Sequence, residues 1–304
     1  MRIQKNLVFR KLPIYTHIHK FNWIFCIILH LTFEEFINYK STQNLSFYKR
    51  GIKKETLEFI KNDFEEFLLY GGYPKVVISK SKDEKKEVVK NLVNSYLLKE
   101  IREILSFENS YEYEKLLEIM AVKNANILNK TNISSDSGIS LQKIDYMIDI
   151  LEKTYILKKL RPVNIQKIKE IIKSPKIYFL DLGFRNAIMD LFNSTNLRVD
   201  KGYIYETFIF SELIKYGFKP KFYNYKNSNE VDFLLEKEGK KIGIEIKSLI
   251  NNTNIEKSYR NYIEKYSIDE FYILNEKIFD EKVIGKTKVI FAHYLNVFDK
   301  IISK

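Results

Sequence analysis

Cys26 is the only cysteine in 304 residues, which excludes an intrachain disulfide framework and a cysteine-ligated metal site within one chain. A lone thiol suits a reducing compartment, so a cytoplasmic location is expected. Glycine is also scarce. The ten glycines nowhere gather into the Gly-rich run whose backbone N–H groups cradle phosphate, and ATP hydrolysis by this chain is not expected. The four histidines, His17, His19, His30 and His293, stand at no ligand spacing with a cysteine or an E-x-x-H partner, which argues against zinc. Long apolar runs are missing too. The most apolar stretch, 21–31 (FNWIFCIILHL), holds eleven residues, too few to cross a bilayer. No small-residue cleavage site follows it. It reads as a buried strand or short helix, and no membrane partner is expected.

What is present describes a folded chain. Hydrophobic content of 45% with 30% charged residues is globular rather than disordered, and the length suits two or three domains. Lysine and arginine outnumber aspartate and glutamate by 51 to 39, a net +12. That balance favours DNA or another nucleic acid as partner through long-range attraction, although biased lysine usage explains it equally well.

Residues 1–109 read as a helical segment. Thr32 followed by Glu35 has capping-box spacing, 54–69 is a helix closed by the breaker Gly71-Gly72-Tyr73-Pro74, and 84–105 has a helical apolar stripe. Residues 110–180 differ. Helices at 113–123, 127–131 and 140–151, with a turn at 134–138, precede strands at 156–161 and 176–180 across a lysine-rich hinge. Three helices and a hairpin make the winged-helix pattern. Its third helix sets Lys143 and Lys153 against Asp145, Asp149 and Glu152, which suits a structural or protein-binding role better than phosphate contact. Lys158, Lys159, Arg161, Lys167 and Lys169 form the better basic patch. Residues 181–304 then run helix, three strands, helix, strand, an α/β arrangement with a mixed sheet.

The most informative segment is NEVDFLLEKEGKKIGIEIKS at 229–248. Two strand-like runs flank a glycine-containing turn, and each carries an acid, Asp232 and Glu245. Glu245 and Lys247 sit two apart and so share a strand face. Pairing across the 236–241 turn brings Asp232 toward Glu245, and two carboxylates beside an ammonium can hold Mg²⁺ or Mn²⁺. Glu230 shares the parity of Asp232. An ordinary amphipathic hairpin with a charged row fits the same residues.

In this last region the chain resembles the restriction-endonuclease-like superfamily, with its αβββαβ core and its order of an acid, D and E-x-K. The resemblance assigns Glu206 in GYIYETFIFSEL, Asp232, and Glu245-Ile246-Lys247. It implies that Glu206, Asp232 and Glu245 bind the metal and that Lys247 assists attack on phosphate. From about Leu31 to Phe298 the chain resembles the C-terminal portion of a prokaryotic AAA-type ATPase family carrying a DUF4143 domain. LTFEEF, FEEFLLYGGYPKVV, NLVNSYLLKEIREIL, IYFLDLGFRNAIM and the two segments above carry that likeness. The family's Walker A loop has no counterpart here, which implies a truncated or split member. Tyr73, Pro74 and Asp181-Leu182-Gly183, also landmarks of the family, read as structural, and Asp181 is a candidate cap for a helix beginning near Phe184. Three expectations stand side by side. One is a Mg²⁺- or Mn²⁺-dependent nuclease using Glu206, Asp232, Glu245 and Lys247. Another is a non-catalytic module binding nucleic acid or a separate protein partner. The last is a remnant whose fold survives without its motor.

Overall fold

Thr32 opens the first helix as its spacing implies. Its hydroxyl accepts the Glu35 N–H (3.2 Å) while the Glu35 carboxylate accepts the Thr32 N–H (2.8 Å), satisfying two of the donors that a helix start leaves unpaired. The computed structural model describes residues 30–95, 110–163, 167–225, 229–296 and 301. Helices Phe33–Lys40, Thr42–Lys49 and Lys54–Tyr70 come first. Gly71 ends the third at φ 78°, and Pro74 starts the single turn Pro74–Val77, a position where its missing N–H costs nothing. Helix Lys82–Ser95 follows. Most of the apolar 21–31 stretch, the expected helical residues beyond 95, Cys26, His17 and His19 lie outside the described residues.

The next unit holds helices Ser110–Val122, Lys130–Ser137 and Leu141–Lys153, then the antiparallel pair β1 (Leu157–Leu160) and β2 (Lys176–Phe179). The second helix begins later than the expected 127–131, because Asn129 caps it by accepting the Asn132 N–H. Ile127 instead bridges to Lys176. The expected turn at 134–138 is that helix's last turn, closed by Gly138 in the left-handed region. The expected hinge contains a helix, Lys167–Ile172, anchored by Glu170 through an ion pair with Lys221 (2.6 Å).

Helix Lys201–Lys215 leads into a six-stranded sheet of β3 (Lys221–Tyr225), β4 (Asn229–Lys237), β5 (Lys240–Ile246), β6 (Glu270–Asn275), β7 (Asp280–Ile284) and β8 (Thr287–His293), ordered β3-β4-β5-β6-β8-β7. β3, β4 and β5 pair antiparallel, β5–β6 and β6–β8 parallel, and β7 returns antiparallel at the edge. Helix Lys257–Tyr266 makes the β5–β6 crossover. The order helix, three strands, helix, strand is thus present from 201 to 275. The edge strand β7 was not expected, since DEKVI has no buried alternation to betray it. The fold is α/β, with a mainly helical N-terminal region and a sheet-containing C-terminal one.

Alternation along the strands divides the cores. Ile244, Tyr272 and Ile290 face helix Lys201–Lys215 and the N-terminal helices, meeting Phe33, Phe67 and Phe208. Phe271, Val289 and Phe291 face the other way, toward Tyr259 and Tyr262. A further cluster fills the helical unit. Several contacts tie the units together. Phe222 of β3 pairs with the chain beyond β1, donating to Arg161 O and accepting from the Val163 N–H. The Asn124 side chain accepts the Phe179 N–H and donates to Thr207 Oγ1 (2.6 Å). The segments at Tyr70–Gly72 and Asp181–Phe184 also meet. Asp181 accepts from Gly72 and Phe184 N–H, both at 2.8 Å, and a Cβ on Gly183 would stand 1.9 Å from Tyr70 O. Asp181 is the cap of helix Leu182–Met189. No helix among the described residues is long and apolar enough to cross a membrane.

Candidate functional site

The β4–β5 hairpin turns on Glu238 and Gly239, both at positive φ (51° and 78°), the backbone of a two-residue type I′ turn. That turn sets the register Phe233 opposite Ile244 and makes Asp232 and Glu245 neighbours, as the sequence implies. Asp232 Oδ2 accepts the Ile246 N–H at 2.8 Å. Glu245 Oε1 accepts from Tyr259 Oη at 2.7 Å and lies 3.1 Å from Lys247 Nζ. Lys247 also stands over the Tyr259 ring, 5.3 Å from its centroid. Glu206 comes in from helix Lys201–Lys215, and electrostatic coupling joins it to Asp232 and Glu245. All four expected side chains therefore gather in one place. The side chain of Glu230 lies outside the described ones.

Three members of the cluster were not foreseen. Lys176 on β2 places its ammonium 2.9 Å from Glu206 Oε1 and 3.9 Å from Asp232 Oδ1. Tyr178, two residues on, donates to the same Glu206 oxygen at 2.5 Å. Tyr259 reaches Glu245 from helix Lys257–Tyr266. The one signal in the sequence was parity, since Lys176 and Tyr178 share a strand face. Nothing local says that this face meets Glu206.

Burial governs the electrostatics. Glu206, Asp232, Glu245 and Lys176 are between 5% and 9% exposed, so a charge on any of them needs a partner. Burial, with the charges of Glu245 and Glu206, pushes the Asp232 carboxyl well above the usual carboxylate range against the pull of Lys176. Burial lifts Glu245 to about 7, opposed by Lys247 and Tyr259. For Lys247 burial works against the ammonium, yet Glu245 outweighs it and the pKa rises.

A divalent cation of the Mg²⁺ or Mn²⁺ kind needs several oxygens converging on one point. Here Glu206 is engaged by Lys176 and Tyr178, Asp232 by Ile246, and Glu245 Oε1 by Tyr259 and Lys247. Among the described residues no group of three His, Cys, Asp or Glu side chains is placed to hold a metal. One oxygen departs from this pattern: Glu245 Oε2 is buried without a hydrogen-bond partner. The Lys176 ammonium stands between Glu206 and Asp232. His30 and His293 are separate core residues.

Two family models match the chain. The one described as "Domain of unknown function (DUF8612)" covers residues 61–195, and the one described as "Domain of unknown function (DUF4143)" covers 201–295. The chain is similar to the uncharacterized protein MJ1544 of Methanocaldococcus jannaschii, 27% identical over 243 residues. That alignment takes in 77% of this chain and 52% of the relative, so the chain spans about half the length of that protein. No solved structure matches. Glu206, Asp232, Glu245 and Lys247 fall within the second matched region and Lys176 and Tyr178 within the first, and the cluster therefore forms where a C-terminal DUF4143 domain meets the DUF8612 domain that precedes it in this chain.

Proposed function

We propose that the chain is a non-catalytic protein-binding module. In this reading residues 110–180 are a winged helix that presents helix Leu141–Lys153 to a basic protein surface, and the sheet is a restriction-endonuclease-like fold without turnover. The observation that carries it is the character of that helix's outer face. Leu141 and Tyr146 are 44% and 48% exposed, beside Asp145 and Asp149. The lysines around it are spent on acids: Lys143 on Glu112 (2.5 Å), Lys153 on Asp149 (2.7 Å) and Lys130 on Asp145 (2.6 Å). A face that is apolar and acidic repels phosphate and suits a cationic partner. Within the basic patch, Lys159 pairs with Glu152 (3.0 Å) and Lys158 lies over the Tyr155 ring (4.8 Å), while Arg161 is exposed.

Anisotropy titrations with a labelled lysine-rich amphipathic peptide and with a short DNA duplex test this. Tyr146→Ala combined with Asp149→Asn should weaken the peptide about tenfold, about 1.4 kcal/mol, and leave the duplex unchanged. Loss of duplex binding in that variant instead would favour a nucleic-acid partner. A second reading, a Mg²⁺- or Mn²⁺-dependent phosphodiesterase using Glu206, Asp232, Glu245 and Lys247, draws on the partnerless Glu245 Oε2. Plasmid nicking in Mn²⁺ that disappears in Lys247→Ala would establish it over the first.

A further inference from the structure

Three carboxylates buried in one cluster require positive charge within it, because an unpaired buried ion costs several kcal/mol. Lys247 meets that need at one end only. Its side chain is 33% exposed, and it lies 3.1 Å from Glu245. The opposite end is served from another element. Lys176 enters from β2 with a side chain 6% exposed, between Glu206 Oε1 at 2.9 Å and Asp232 Oδ1 at 3.9 Å, its ammonium 5.7 Å from the Phe222 ring centroid. β2 holds it there. Ile177 O accepts the Ala125 N–H, Phe179 N–H donates to Asn124, and Leu180 O accepts from Ser211 on the helix that carries Glu206.

We propose that Lys176 is a built-in cation of the carboxylate cluster. Its ammonium takes the place of a divalent metal between Glu206 and Asp232, beside Glu245, and in doing so joins the two matched domains through one buried ionic contact. The inference deepens the non-catalytic reading and rests on it. Removing the ammonium leaves two carboxylates facing each other without a counter-charge, next to a third whose Oε2 already lacks a partner. Hard oxygens carrying surplus negative charge are the ligand set a divalent cation takes. The wild-type protein is then refractory to metal, and its Lys176→Met variant is a metal-binding protein.

The test is calorimetric titration of Mn²⁺ into the full chain, as wild type, Lys176→Met and Lys176→Arg, with melting temperatures measured in Mn²⁺ and in chelator. The expected result is at least tenfold tighter Mn²⁺ binding by Lys176→Met than by wild type, a melting temperature that Mn²⁺ raises only in that variant, and no gain for Lys176→Arg. Equal Mn²⁺ affinity in wild type and Lys176→Met overturns the inference. Should Lys176→Met not fold, the pair Lys176→Met/Glu206→Gln decides, because removing both charges restores folding if the ammonium serves as counter-ion, and failure to restore it overturns the idea. Nicking of plasmid by the wild type in Mn²⁺ would defeat the non-catalytic reading as well, whereas unchanged affinity without nicking defeats this inference alone.

Discussion

His293 ends β8 inside the core, 4% exposed, with its ring edge-on to Phe64 at 5.9 Å and Nδ1 accepting the Leu295 N–H. Burial pushes its pKa down from 6.5 to about 4, against a weaker opposite pull from Glu276. The unfolded chain therefore takes up the proton first as pH falls. The stability this neutral ring contributes is fully present above about 6.5 and is lost on the way down to about 4. His293→Gln, which cannot be protonated, should show a flatter fall in melting temperature between those limits than the wild type. Parallel curves for the two proteins would remove His293 from the acid response. As a residue it was legible only negatively. Its lack of ligand spacing argued against zinc, but no local pattern announced a buried ring.

The β4–β5 hairpin is the element on which the candidate site depends, and most of it could be read directly. Alternation in VDFLL and IGIEI marked two strands, and parity placed Glu245 with Lys247. Glu238, however, occupies a left-handed backbone position at φ 51°, which asparagine tolerates better than glutamate. Glu238→Asn should raise stability by about 0.5–1 kcal/mol, seen as a higher urea midpoint at unchanged slope. A lower midpoint would mean that the turn carries no strain to relieve. β7 shows the opposite case. An exposed, charged edge strand owes its existence to pairing with β8, and its own sequence has no apolar rhythm to declare it.

At the scale of the molecule, the first three helices belong mainly to the sheet's core, while helix Lys82–Ser95 packs into the cluster of the helical unit. Phe33 is fully buried, edge-on to Phe64, Phe67 and Phe208, in the cluster that continues to Ile244 and Tyr272. Phe33→Ala should cost about 3–5 kcal/mol. Hydrogen exchange should then lose protection in β5 and β6 together with helix Lys54–Tyr70. Lost protection confined to the helices would show that they unfold apart from the sheet.

Sequence alone determined whatever rests on neighbours a few residues apart: the Thr32–Glu35 box, the helix-breaking Gly71, the cap at Asp181, the shared face of Glu245 and Lys247. These are local because helix and strand periods fix which side chains meet within one element. Only the tertiary structure decided what surrounds the carboxylates. Lys176 and Tyr178 reach Glu206 across 30 and 28 residues of chain, and they do so because β2 is packed against the Lys201–Lys215 helix. Whether three acids face a metal or an ammonium depends on that docking. The acids have the same spacing in either case, and the charge that meets them comes from a distant strand.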